Sequence, residues 1–89
     1  NLYHAVIHKL KEMGIAGVTV IGGIEGYGRE KKLHNAKILD LAVSLPVIIE
    51  AIDTEANILA VIPAIKEMVN EGLIITTDVQ VIKYWKDEA

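Results

Sequence analysis

The chain has no cysteine, no phenylalanine, one tryptophan, two prolines and a single arginine, Arg29, among its 89 residues. Without cysteine there is no disulfide, no thiolate metal site and no thiol nucleophile. No apolar stretch approaches the roughly 18 residues that a membrane-spanning helix requires. No charged-then-apolar leader opens the chain, so a reducing, cytoplasmic setting is expected. A net charge of −3 and a pI near 5.5 leave no broad basic face of the kind a general nucleic-acid binder carries. No nucleic-acid partner is expected, and any anion recognition must be local.

What the chain does hold is apolar surface: 52% of its residues are hydrophobic, mostly isoleucine, valine, leucine and alanine. At this length one domain over residues 1–89 is expected, near the size where a single core is only marginally sufficient. The surplus of apolar side chains points to subunit contacts.

Leu2, Val6, Leu10 and Met13, flanked by Tyr3 and Ile7, recur at helical spacing, and Gly14 is placed to end that helix. Residues 15–21 are apolar and β-branched enough for a buried strand. Residues 29–41 carry mixed charge and then a short apolar run, read as a long loop with about one helical turn. Residues 45–52 read as a second strand with Pro46 at its start, where a missing backbone donor is tolerated. Asp53 or Thr54 then caps a helix with Glu55 in its first turn and Ile58, Ile62, Ile65 and Val69 as its buried stripe. Pro63 is expected to bend or restart this helix, and Gly72 to end it. Residues 73–84 read as a further strand, with an interruption around Thr77-Asp78 left open, and Trp85 with the residues after it as a terminal tail.

The segments around Lys11-Glu12-Met13-Gly14-Ile15 and Lys66-Glu67-Met68, followed shortly by Gly72-Leu73, echo each other: each leads from an amphipathic helix through glycine into an apolar strand. The second half reads strand, helix, strand and the first only helix, strand. If the halves match, a strand precedes Asn1, and the fold is α+β, a ferredoxin-like split βαβ sandwich whose first strand is missing from the chain. Such a sheet packs both helices on one face and leaves the other apolar unless subunits cover it.

The most informative run is Gly22-Gly23-Ile24-Glu25-Gly26-Tyr27-Gly28-Arg29-Glu30-Lys31-Lys32, with four of the seven glycines and the sole arginine. A glycine-dense loop leaving a strand lets backbone approach a ligand, and cations just beyond it meet an anion, which points to a phosphate or nucleotide. The same residues also fit a turn followed by a solvated charge cluster. The spacing is neither GxGxxG nor a Walker loop. Tyr27 offers a ring for a base or a hydrophobic anchor for the loop. His34, alone in a charged segment, is read as a hydrogen-bonding or phosphate-facing group before a metal ligand or a catalytic acid or base. His4 and His8 lie one helical turn apart but lack the HExxH pattern and read as surface residues. Glu50 and Asp53 are accounted for by a strand end and a helix cap.

Gly23-Ile24-Glu25-Gly26-Tyr27-Gly28, then His34, Leu39-Asp40-Leu41, Leu45-Pro46-Val47-Ile48-Ile49-Glu50 and Asp53 resemble the PII-like proteins called domain of unknown function 190. The similarity runs over nearly the whole chain. It implies a ferredoxin-like fold that begins with a strand, a homotrimer built from the sheets, and a long loop that reaches partners. Gly26-Tyr27-Gly28-Arg29-Glu30-Lys31 is similar to the Gly-Phe-Gly-Arg-Gln-Lys of PII signalling proteins, which contacts ATP or ADP between subunits. The resemblance therefore gives Gly28, Arg29 and Lys31 a phosphate-contact role. The second nucleotide loop of those proteins has no counterpart at Asn70-Glu71-Gly72-Leu73, so AMP is expected in preference to ATP. The position before Gly23, often arginine in the family, is Gly22, which puts more weight on Arg29.

The expected nucleotide-contacting residues are thus Gly23, Gly26, Tyr27, Gly28, Arg29, Lys31 and His34. No metal and no required cofactor are expected, with an adenine nucleotide (AMP, ADP or ATP) as ligand. The expected function is a trimeric regulator, not an enzyme, that binds the nucleotide between subunits and presents its loop to a protein partner such as a membrane transporter or channel. The alternative is a trimeric interaction module that needs no ligand.

Overall fold

The computed structural model describes residues 1–27, 34–35 and 46–84. Helix α1 (Leu2–Glu12) leads into strand β1 (Gly17–Gly22), two-residue strands β2 (Glu25–Gly26) and β3 (His34–Asn35), strand β4 (Val47–Ile52) and helix α2 (Glu55–Met68). β1 and β4 form an antiparallel ladder from Gly17↔Ile52 to Gly22↔Val47, and β2 pairs with β3. This is the α+β, ferredoxin-like arrangement: two helices against an antiparallel sheet.

Both ends of α1 are closed by local chemistry. The Asn1 side-chain oxygen accepts the His4 N–H at 3.2 Å, satisfying one of the donors a helix start leaves unpaired. At the other end the Ile15 N–H reaches the Leu10 carbonyl at 3.0 Å and the Gly14 N–H reaches Lys11 at 3.1 Å. Gly14 has φ +81°, the left-handed conformation that this reversal requires and that a side chain disfavours. The turn also has an apolar reason to form, because Leu10 and Ile15 both enter the core that it folds them into.

That core is small. Val6, Leu10, Ile15 and Val61 are buried, and Val18, Ile49, Ala51, Ile58, Ile65, Met68 and Val69 pack against them. Alternation along a strand assigns the faces: Val18 pairs with Ala51 and Val20 with Ile49 on the helix side. Ile21, Ile48 and Ile52 share the opposite side and are 44%, 55% and 46% exposed. In α2 the buried position is Val61, whereas Ile62 lines an open groove with Lys66, Val69, Gly72 and Ile74. The apolar run Leu59 to Ile62 offers several faces to the core, and contact with α1 and the sheet selects among them. Pro63 sits inside a helix that runs on to Met68; its missing N–H leaves the carbonyl one turn back on Leu59, a residue open to water.

Residues 73–84 are not a strand, contrary to the expectation from their β-branched composition. Residues 73–82 make no backbone hydrogen bond among the described residues, and Leu73 and Ile82 are more than four-fifths exposed, at 83% and 85%. A strand exists by pairing, and no ladder among the described residues includes residues 73–82. Farther along, the Tyr84 hydroxyl lies 3.4 Å from the Ala16 carbonyl.

Asp53 fastens α2 to the sheet. One carboxylate oxygen accepts the Thr54 N–H at 2.6 Å and the Asn57 side-chain amide at 2.8 Å, and the other accepts the Ala16 N–H at 2.8 Å. The N-cap itself is Thr54, whose hydroxyl accepts the Asn57 N–H at 3.3 Å. The Asn57 amide first, then the Thr54 and Ala16 backbone N–H groups, hold the Asp53 pKa below its ordinary value of 3.8. Because folding favours the carboxylate form, the clasp contributes fully above 3.8 and is lost as pH falls through the lower folded value. Thermal unfolding at about pH 7 and about pH 3 should therefore show a loss of stability in acid that Asp53→Asn diminishes, with a lower midpoint for the variant at neutral pH.

Candidate functional site

The glycine run leaves the sheet at the end opposite Asp53. After the last ladder pair, Gly22↔Val47, the Gly23 N–H donates to the Pro46 carbonyl at 2.7 Å. The return bond of that pair has no donor, because proline lacks an N–H, so regular pairing stops there. A Cβ on Gly23 would lie 2.6 Å from the Pro46 Cγ and 3.2 Å from the Pro46 carbonyl oxygen, and one on Gly26 would lie 3.4 Å from the same Cγ. Both glycines lie against one proline ring. Neither has a positive φ, so what these positions use is small size rather than conformational freedom.

Past this contact β2 pairs with β3, setting Gly26 opposite His34 and Glu25 opposite Asn35. The fold thus gathers Gly23, Gly26 and the His34 backbone around the base of one excursion, with Tyr27 exposed beside them at 64%. The expected phosphate contacts Gly28, Arg29 and Lys31 lie outside the described residues, as do residues 38–41 of the expected helical turn and Trp85. Between residues 22 and 27 the one charged side chain is the exposed Glu25, so this stretch itself offers no cation to an anionic ligand. The Gly23 N–H is already committed to the Pro46 carbonyl.

Elsewhere, His4 stacks on Tyr3 with ring centroids 4.3 Å apart and an interplanar angle of 29°. Among the described residues no group of three or more His, Cys, Asp or Glu is placed to hold a metal ion. No helix among them is long and apolar enough to cross a membrane. Two features escaped sequence reasoning. One is Pro46 as the partner of the glycines; its position at a strand start was legible but its contact across the sheet was not. The other is the reach of Asp53 to Ala16, 37 residues away in the chain.

The molecule is therefore a small α+β protein whose long excursion between two paired strands starts and returns at one closed base. The chain belongs to the DUF190 family, described as "Uncharacterized ACR", whose model matches residues 1–81. It is 46% identical over 83 residues to UPF0166 protein MJ1524 of Methanocaldococcus jannaschii, covering 92% of this chain and 76% of that one. It is 41% identical over 80 residues to a UPF0166 protein of Aquifex aeolicus, covering 90% and 75%. No solved structure matches the chain significantly.

The glycines of the run are not equivalent. A Cβ on Gly22 meets nothing within 4 Å. Gly22→Ala should consequently be accepted without strain and raise the unfolding free energy by about 0.4–1 kcal/mol in denaturant titration, because it restricts the unfolded chain.

Proposed function

We propose that the protein is a PII-like regulator that binds an adenine nucleotide between subunits of a homotrimer and converts occupancy into the conformation of its long loop. The observation that carries this reading is the glycine loop leaving β1 at a closed base, followed in sequence by Arg29 and Lys31. Backbone near small residues and cations directly beyond them are what phosphate recognition needs. The similarity of Gly26-Tyr27-Gly28-Arg29-Glu30-Lys31 to the PII nucleotide loop supports the reading; the DUF190 family to which the chain belongs is itself uncharacterised. AMP is favoured over ATP because the second phosphate loop of PII proteins has no counterpart here. The role is binding rather than catalysis, in the cytoplasm, with a membrane transporter or channel as the kind of partner the loop would address. Ligand-dependent order of such a loop is a familiar way to change a docking surface.

The subunit contact would use the helix-free sheet face. Ile21 lies directly opposite Ile48, and Ile52 falls on the same side of β4. Ile21, Ile48 and Ile52 are exposed on this face, with the Thr19–Glu50 pair between them, and association would remove the isoleucines from water.

A second reading, an interaction module without ligand, draws on one specific observation: packing against Pro46 already explains why Gly23 and Gly26 are small.

Calorimetric titration with AMP, ADP and ATP separates the two. One nucleotide should bind at one site per subunit, and Arg29→Ala should weaken it by about 10- to 150-fold, the worth of a hydrogen bond to a charged group. Silence from all three nucleotides favours the docking module; unchanged affinity in Arg29→Ala rejects the site. For the assembly, mass measurement in solution should give a trimer for the wild type and smaller species for Ile48→Glu, which places a second carboxylate on this face two residues from Glu50.

A further inference from the structure

The segment between β1 and β4 is held at its base by a contact that no ligand is needed to explain. Pro46, half-buried, gives its carbonyl to the Gly23 N–H at 2.7 Å and its ring to both Gly23 and Gly26. The two interactions act on different parts of the turn. The carbonyl fixes where Gly23 leaves the sheet, and the ring fills the space beside Gly26, three residues on, where β2 pairs with β3. A proline suits this place because its ring locks φ, so the surface presented to the glycines is rigid. The chain entering β4 thereby sets the backbone shape of the chain leaving β1.

We propose that Pro46 is a positioning residue for the nucleotide site: it shapes the Gly23-to-Gly26 backbone across the sheet and so sets ligand affinity without touching the ligand. This rests on the nucleotide reading above. Because coupling between two equilibria is reciprocal, a ligand held by the shaped loop also strengthens the contact with Pro46, and binding is felt at both ends of the excursion. The returning end then reports occupancy directly to β4.

The test is a double-mutant cycle on Gly23 and Pro46. Pro46→Ala keeps the carbonyl acceptor and removes the Cγ that both glycines abut. Gly23→Ala adds a Cβ that collides with that Cγ at 2.6 Å and crowds the carbonyl oxygen at 3.2 Å. Pro46→Ala should weaken AMP, ADP or ATP binding at least about fivefold, within the range of ordinary coupling between sites. Its Gly26 amide should exchange faster with solvent, while the amides of the β1–β4 ladder keep wild-type protection. Gly23→Ala should be the worse single variant, and the double variant should recover part of its loss in both affinity and thermal midpoint, since the ring that clashes is gone. Strictly additive losses, or Pro46→Ala with wild-type affinity and wild-type exchange at Gly26, would overturn the proposal. If wild-type protein binds none of the three nucleotides, the nucleotide reading fails and takes the affinity role of Pro46 with it. The contact itself is then still decided, by the exchange at Gly26 and by rescue or additivity in the thermal midpoints.

Discussion

The β1–β4 ladder is the constraint on which the rest of the molecule depends, and it is fastened at one end by a side-chain carboxylate and at the other by a backbone carbonyl. Beyond Gly17↔Ile52 the next residues outward are Ala16 and Asp53, and the aspartate carboxylate takes the alanine N–H. Beyond Gly22↔Val47 the next are Gly23 and Pro46, and the proline carbonyl takes the glycine N–H. Each closure satisfies a backbone donor that the regular ladder leaves unpaired. Each also fixes the entry of a further element. Asp53 ties the start of α2 to the sheet, and Pro46 shapes the start of the glycine loop.

Around that ladder there is little to bury. Among the described residues four form the centre of the core, and much of the aliphatic content stays in contact with water, on the helix-free sheet face and along residues 73–82. A chain of this size has a high ratio of surface to volume, so a composition half hydrophobic cannot all be internal. Single exposed isoleucines are ordinary; here a directly opposed pair and a third on the same strand face are separated by Thr19 and Glu50. The closures carry correspondingly more of the order in such a molecule, because they do not depend on buried volume.

Much of this was legible from residue order. Helical spacing marked both helices, Gly14 marked the end of the first, and the β-branched runs before Gly22 and after Pro46 marked the paired strands. The glycine run was legible as a special place, and its reason was legible only in part. Glycine in a sequence signals either freedom of φ or lack of a side chain, and pattern alone does not separate them. For Gly14 the φ of +81° shows the first; for Gly23 and Gly26 the nearby Pro46 ring shows the second. The same limit applies to α2, where an almost continuous apolar run left the choice between Val61 and Ile62 to the packing.

By itself, then, the sequence determined the local elements, their order and their ends, because helix spacing, caps and turn residues act over a few positions along the chain. It also determined family membership, since the motif order is a property of the string. The tertiary structure alone decided which residues meet across distance: Asp53 with Ala16, Pro46 with Gly23 and Gly26, and Val61 with the core of α1. It also decided that residues 73–82, apolar and β-branched as they are, make no ladder among the described residues. The physical reason is common to all of these. A strand, a clasp or a buried face is a relation between segments, and its energy depends on a partner that local sequence does not specify.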